Sequence, residues 1–190
     1  MSEQRSLPEA IEGILLDEAR ITERVCALAG QISADYADID DLLLVGVLKG
    51  AFIFLADLTR QLTVAHRVDF IALSSYNRGA ESAGAVRLIM DTRTSVTGHN
   101  VLIVEDILDT GLTLSYIFRN LERRKPASLK VCVLLDRPYR RLIDIPIAYK
   151  GFDAPDEFLV GYGLDWRQQY RSLPYIGIIK PEVLRAEMSG

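Results

Sequence analysis

Between Asp17 and Tyr36 the apolar residues Ile21, Val25, Leu28, Ala29 and Ile32 fall at i, i+4, i+7, i+8 and i+11, one stripe of an amphipathic helix. This predicts a helix as the first element. After the acidic turn Asp38-Ile39-Asp40-Asp41, the run Leu42 to Leu48 is short, continuous and apolar, the pattern of a strand covered on both faces of a parallel sheet. Lys49-Gly50 interrupts the run. Ala51 to Leu62 then has the composition and length of a helix, completing a first strand-loop-helix unit.

The pattern changes in the middle of the chain. Arg67 to Tyr76 and Ala85 to Met90 read as strands, joined by a polar, glycine-bearing connector from Asn77 to Gly84, which suggests a long hairpin with a mobile tip. Asn100 to Glu105 reads as a second buried strand, Leu112 to Arg124 as a helix and Leu129 to Leu135 as a third buried strand. Further strands are expected near Ile145 to Lys150, Glu157 to Tyr162 and Tyr175 to Ile179. Strand-helix units around an inserted hairpin predict an α/β fold with an open, mainly parallel sheet. The basic cluster Arg119, Arg123, Arg124 and Lys125 is read as compensation of a helix dipole ahead of Pro126.

Composition narrows the picture without identifying it. The 190 residues amount to one domain, and 49% hydrophobic with 25% charged residues is an ordinary globular ratio. With 22 Lys plus Arg against 26 Asp plus Glu, the net charge is -4, so neither nucleic acid nor an anionic membrane is an expected partner. Cys26 and Cys132 each sit in an apolar run, read as core in a reducing compartment. No signal peptide or membrane-spanning stretch is recognisable, so a soluble cytoplasmic protein is expected. His66 and His99 lie in polar turns, remote from any serine or cysteine motif, and are assigned no role.

The chemistry concentrates in Val101 to Thr113. Four apolar residues carry a strand to the adjacent carboxylates Glu105 and Asp106, at the strand end where open α/β sheets bind ligands. Such a pair faces water, a cation or sugar hydroxyls, because buried unpaired carboxylates are costly; alone, a solvated strand end explains it equally well. Asp109-Thr110-Gly111-Leu112-Thr113 then leads into a helix, where hydroxyls and backbone N–H groups at a helix N-terminus make an anion cradle. The chain lacks the G-x-x-x-x-G-K-S/T spacing of a P-loop and has no G-x-G-x-x-G, which argues against nucleoside triphosphate hydrolysis and dinucleotide binding.

The strand followed by E-D-x-x-D-T-G resembles the 5-phosphoribosyl-1-diphosphate (PRPP) motif of the type I phosphoribosyltransferases. Leu48-Lys49-Gly50, Ser75-Tyr76, Leu134 to Pro138 and Phe158 to Asp165 resemble, in the same order, segments of the hypoxanthine-guanine phosphoribosyltransferases. The similarity runs from about Ile14 to Pro181. It implies a single domain over residues 1–190, with a small hood from parts of the N-terminal helix region and residues about 150–180. It also implies a magnesium-dependent purine-salvage enzyme that transfers the phosphoribosyl group of PRPP to hypoxanthine or guanine, giving IMP or GMP, and that forms a homodimer or homotetramer.

The resemblance also assigns roles. Glu105 and Asp106 correspond to the carboxylates that hold the ribose hydroxyls, directly or through water on magnesium. Asp109 corresponds to the general acid/base beside purine N7; read without the family, it is an equally good helix N-cap. Thr110, Gly111, Leu112 and Thr113 correspond to the 5'-phosphate loop, and Lys49 and Gly50 to a diphosphate contact preceded by a non-proline cis peptide. Lys49 alone reads as a lysine snorkelling to solvent. Phe158 matches the aromatic that stacks on the purine and Leu159 a backbone contact to its edge, although Phe158, Val160 and Tyr162 also alternate as an ordinary packed strand. Asp165 corresponds to a ligand of the second magnesium, the one clamping diphosphate, and to a residue of the purine pocket, and Arg171 to a diphosphate contact. Ser75 and Tyr76 open the segment that matches the family's flexible loop.

Three positions depart from the pattern. Arg137 stands where the family usually has the lysine that donates to the purine 6-oxo group, and the two cations are not equivalent at a fitted site. Leu112 replaces a polar or basic residue in the phosphate loop, and Trp166 a tyrosine beside Asp165. An alternative from another class is a PRPP-sensing regulator of the same fold; the acidic charge and the presence of Asp109 and Asp165 argue against it.

Overall fold

The computed structural model describes residues 8–75 and 86–186. Nine strands and four helices follow in order: β1 (Ile11–Leu16), α1 (Glu18–Asp35), β2 (Leu42–Leu48), α2 (Phe52–Gln61), β3 (His66–Ser75), β4 (Val86–Met90), β5 (Asn100–Leu108), α3 (Leu112–Glu122), β6 (Ser128–Asp136), β7 (Tyr149–Asp153), β8 (Leu159–Val160), β9 (Ile176–Ile179) and α4 (Pro181–Arg185). The main sheet has the order β4-β3-β2-β5-β6-β7. Its pairs are parallel except the antiparallel β3 and β4, so the predicted α/β class with a mainly parallel, helix-flanked sheet is correct.

The continuous apolar runs are explained by what covers each face. One face, with Leu42, Leu44, Leu102, Val104, Cys132 and Leu134, packs against α1 and α2; the other, with Leu43, Val45, Ile103, Val131 and Val133, packs against Leu114, Ile117 and Leu121 of α3. Strands buried on both faces need apolar residues at every position rather than at alternate ones. From β2 the chain passes through α2 to β3 on one side, and from β5 through α3 to β6 on the other. The connections diverge at the carboxyl ends of β2 and β5, and this reversal leaves a crevice there.

A second, antiparallel sheet of order β1-β9-β8 shares no strand pairing with the first, but Leu16, Leu159 and Ile176 pack into the same core as its α1/α2 face. Its first strand precedes α1, so a strand, not a helix, is the first described element. Local periodicity does not show β1, because its partner is β9 near the other end of the chain, with Ile11 opposite Ile179 and Leu16 opposite Ile176.

Other boundaries move for local reasons. β5 continues past Glu105 to Leu108, pairing Glu105 with Val133 and Leu108 with Asp136, so the carboxylate pair lies inside the ladder and not beyond it. β7 begins at Tyr149 rather than near Ile145; Pro146 cannot donate to a ladder. β8 is only two residues long, because Gly161 (φ +94°) and Tyr162 (φ +48°) turn the chain sharply. Helix α3 stops at Glu122, and Lys125 has φ +56° just before Pro126. Cys132 is core as expected, but Cys26 is exposed, since it lies one residue and about 100° around α1 from the buried Val25. Connector 77–84 lies outside the described residues. No helix among the described residues is long and apolar enough to cross a membrane.

Candidate active site

The crevice between β2 and β5 opens into a cleft of about 350 Å³ lined by Lys49, Gly50, Asp106, Ile107, Asp109, Arg137, Phe158, Leu159, Leu164, Asp165 and Arg171. Most of the residues singled out in the sequence meet here, although they span more than half the chain. Most come from strand ends: Lys49 and Gly50 follow β2, Asp106 and Asp109 belong to or follow β5, Arg137 follows β6, Phe158 precedes β8 and Leu159 begins it, while Asp165 and Arg171 lie in the connection from β8 to β9. Three cationic and three anionic side chains line the cleft, a mixture suited to a ligand carrying both phosphates and hydroxyls.

Close backbone approach builds the floor. The Leu48–Lys49 peptide is cis. A Cβ at Gly50 would overlap the Asp106 carboxylate, and one at Gly163 would overlap the Gly50 carbonyl. Gly163 also has φ +103°, so a side chain there is excluded by conformation as well as by space. Asp106 is buried, and its Oδ1 accepts from the backbone N–H of Ile107 at 2.8 Å. Glu105, on the other side of the strand, is buried and does not line the cleft; its Oε1 accepts from the N–H of Asp106 at 3.2 Å. Burial, and then the neighbouring Asp106 carboxylate, pushes the Glu105 carboxyl well above the usual carboxylate range.

Asp109 is not a helix cap. The residue before α3 is Gly111 at φ +85°, and no side chain caps the helix. Instead, Asp109 Oδ2 lies 3.3 Å from Arg140 Nη1 and 3.7 Å from Arg137 Nη1, while its buried Oδ1 has no hydrogen-bond partner. One oxygen is held by cations and the other is buried and unpartnered. Arg141 fixes the backbone: its Nε donates to the Asp109 carbonyl at 3.3 Å, and its Nη2 pairs with the buried Asp136. The Thr110 carbonyl accepts from Leu142 and Ile143, so the 138–143 segment braces the loop.

Thr110, Gly111, Leu112 and Thr113 form the turn between Asp109 and α3. They do not line the cleft; Leu112, exposed, lines an adjoining depression with Ser115, Tyr116, Arg119, Glu122, Arg123 and Ile143. The Leu112 N–H donates to Thr110 Oγ1 at 3.4 Å; the N–H groups of Thr113 and Leu114 behind it lack helical acceptors, the condition an anion cradle requires.

Arg137 is 6% exposed. Its Nη2 donates to the Glu157 carbonyl and its buried Nε has no acceptor. Phe158 lies outside β8 and is exposed at the cleft, edge-on to Trp166 at 4.9 Å, whereas Val160 and Tyr162 are buried. The three are therefore not equivalent positions of one packed strand. Asp165 pairs with Arg171 at 2.7 Å, and Arg171 Nη1 donates to the Gly163 carbonyl at 2.7 Å. Ser75 ends β3 opposite Val86 in backbone register; Tyr76 lies outside the described residues. Sequence reasoning missed Ile107, Leu164, Arg140 and Gln168. The last is bonded to Lys49, Asp165 and Arg171, and no local pattern marks it.

Among known proteins, the model of the phosphoribosyl transferase domain matches residues 13–167. Hypoxanthine phosphoribosyltransferase of Escherichia coli (strain K12) is 47% identical over 165 residues, covering 86% of this chain and 93% of that protein. Hypoxanthine-guanine phosphoribosyltransferase of Mycobacterium tuberculosis (strain ATCC 25618 / H37Rv) is 45% identical over 181 residues, covering 93% and 90%. A solved structure of the Trypanosoma cruzi hypoxanthine phosphoribosyl transferase superposes with a TM-score of 0.91 at 42% identity, over 98% of this chain and 100% of that one.

Proposed function

Since the chain belongs to the phosphoribosyl transferase domain family, we propose that it is a purine-salvage enzyme that transfers the 5-phosphoribosyl group of PRPP to hypoxanthine, guanine or both. The products are IMP or GMP and diphosphate. The observation that carries this reading is Asp109, with one carboxylate oxygen held by two arginines and the other unpartnered, beside a cleft that also presents Phe158, Arg137, Lys49 and Arg171.

In this reading the purine stacks on Phe158, its edge meets the backbone of Leu159, and Arg137 donates to the 6-oxo group. The lone pair of N9 forms a bond to C1 of the ribose as the C1–O bond to diphosphate breaks, the electron pair leaving with diphosphate. Asp109 takes the proton from N7, so that the purine does not accumulate positive charge. Asp106, with Glu105 behind it, holds the ribose hydroxyls. The amides and hydroxyls of Thr110 to Thr113 bind the 5'-phosphate. Lys49, Gly50 and Arg171 receive the diphosphate, whose growing charge they stabilise as it departs.

Magnesium fits the donors present. No group of three or more His, Cys, Asp or Glu able to cage a metal occurs among the described residues, but Asp106 and Asp165 both offer hard oxygens to the cleft. Magnesium is commonly held by one or two carboxylates and completes its shell with water and substrate phosphates. Asp106 and Asp165 are the residues that would hold it; Glu105, the third ligand expected from the sequence, is buried behind the strand and does not line the cleft. When bound, magnesium neutralises diphosphate charge.

The reading includes a cytoplasmic location and assembly into a homodimer or homotetramer. Purified protein with PRPP and magnesium, offered hypoxanthine, guanine, xanthine, adenine and uracil in turn, tests the function by absorbance. Nucleotide formation with hypoxanthine or guanine is expected; no turnover with any base overturns the reading.

A further inference from the structure

Residues Trp166 to Gln169 form a tight hairpin, closed by Trp166 N–H to the Gln169 carbonyl (3.2 Å) and Gln169 N–H to the Trp166 carbonyl (2.9 Å). Its two central residues, Arg167 at φ +54° and Gln168 at φ +64°, are both left-handed. A turn of this kind ordinarily takes Asn-Gly or Gly-Gly. Two long side chains here mean that the turn carries something a glycine does not supply, and strained positions of this sort gather at ligand clamps.

The Gln168 contacts show what that is. Its Oε1 accepts from Lys49 Nζ at 3.1 Å and from Arg171 Nη2 at 3.2 Å, and its backbone N–H donates to Asp165 Oδ2 at 2.7 Å. One neutral oxygen thus joins two cations that come from opposite ends of the chain and both line the cleft. An amide oxygen has two lone pairs and can serve both donors. It offsets the repulsion between them without the strength of a carboxylate, so an anionic phosphate oxygen, making charge-assisted bonds, outcompetes it.

We propose that Gln168 stands in for an anion: its side-chain oxygen helps hold Lys49 and Arg171 in place for diphosphate and is displaced when diphosphate binds. The proposal rests on the assignment of Lys49 and Arg171 to the diphosphate. Gln168 is then a positioning residue, distinct from the groups that bind purine or move the proton. Its neutrality is the essential property. A carboxylate at 168 would form a permanent internal pair with the same cations and compete with the ligand, whereas an apolar residue would take this partner from Lys49 and leave Arg171 to Asp165 and the Gly163 carbonyl alone.

The test is equilibrium binding of inorganic pyrophosphate with magnesium, measured by titration calorimetry on the wild-type protein, Gln168→Glu and Gln168→Leu, with IMP binding as the control for the rest of the site. Gln168→Glu is expected to weaken pyrophosphate about tenfold or more, with the loss shrinking as salt screens the new pair. Gln168→Leu is expected to weaken it by about two- to fivefold, the scale of a lost neutral hydrogen bond. IMP affinity is expected to stay within about twofold in both. Wild-type affinity for pyrophosphate in Gln168→Glu overturns the proposal, and so does a parallel loss of pyrophosphate and IMP, which makes the turn merely structural. A wild-type protein that binds IMP but no pyrophosphate overturns the diphosphate assignment together with the proposal; binding of neither overturns the functional reading itself.

Discussion

Gly50 packs its Cα directly against the carboxylate of Asp106, leaving no room for a Cβ. The residue after Lys49 therefore sets where a carboxylate on the neighbouring strand sits. Gly50→Ala is expected to displace Asp106 and raise the KM for PRPP by about tenfold or more, with a smaller effect on purine binding. The overpacking itself is expected to cost about 1–3 kcal/mol of stability, read from urea denaturation. A variant with an unchanged KM for PRPP would show that Asp106 can move without consequence.

Asp109 gives the sharpest division between chemistry and structure. Because Gly111 occupies the cap position and no side chain caps α3, Asp109→Asn removes no capping bond. Turnover is expected to fall by about 10²–10⁴, the usual contribution of a positioned acid or base, while PRPP affinity changes little. Equal losses in both would mean that the carboxylate serves binding or folding instead. Arg140, bonded to Asp109 Oδ2 and also 3.3 Å from Asp156, links this carboxylate to the loop that carries Phe158.

The parts legible in the sequence were those written locally. β2, β5 and β6 appear as apolar runs because each is buried on both faces, and the carboxylates, Asp109 and the turn into α3 lie in one stretch from 105 to 113. β1 was missed because six residues with only two buried acquire meaning from β9. Gln168 and Arg140 were missed for a related reason. They are exposed polar residues whose partners lie 119 and 31 positions away, and no periodicity or turn signal records such pairings. The Asp109 alternatives needed coordinates, since Asp is as good a helix cap as it is an acid.

Arg137 reaches the cleft as a buried guanidinium with one arm on the Glu157 carbonyl, one 3.7 Å from Asp109 and an Nε without an acceptor. Lysine carries a single ammonium and cannot keep both outer contacts while reaching a purine oxygen. Arg137→Lys is expected to change the ratio of kcat/KM between hypoxanthine and guanine or xanthine by about tenfold, equivalent to about 1.4 kcal/mol. An unchanged ranking of the three purines would show that the guanidinium is not a determinant of base choice.

Away from the cleft, Asp91 and Arg124 tie the end of β4 to the end of α3 through a 2.6 Å ion pair, and Asp91 also accepts from the N–H of Thr92 at 2.8 Å. The Arg124 bond lowers the Asp91 carboxyl below its usual 3.8, aided by Thr92 and opposed by partial burial and the charge of Asp69. A carboxyl that is more acidic when folded binds fewer protons in the native than in the unfolded state. Its contribution is therefore complete above 3.8 and is lost as pH falls through the folded-state value. Both side chains are about a third exposed, so the contribution is that of a screened pair, at most about 1 kcal/mol. Asp91→Asn is expected to lower Tm by about 2–4 °C or less at neutral pH. The difference should shrink with added salt and vanish once wild-type Asp91 is itself protonated. Calorimetric scans of both proteins across the acid range measure this directly, and a difference in Tm that persists in strong acid would assign the effect to packing instead of charge.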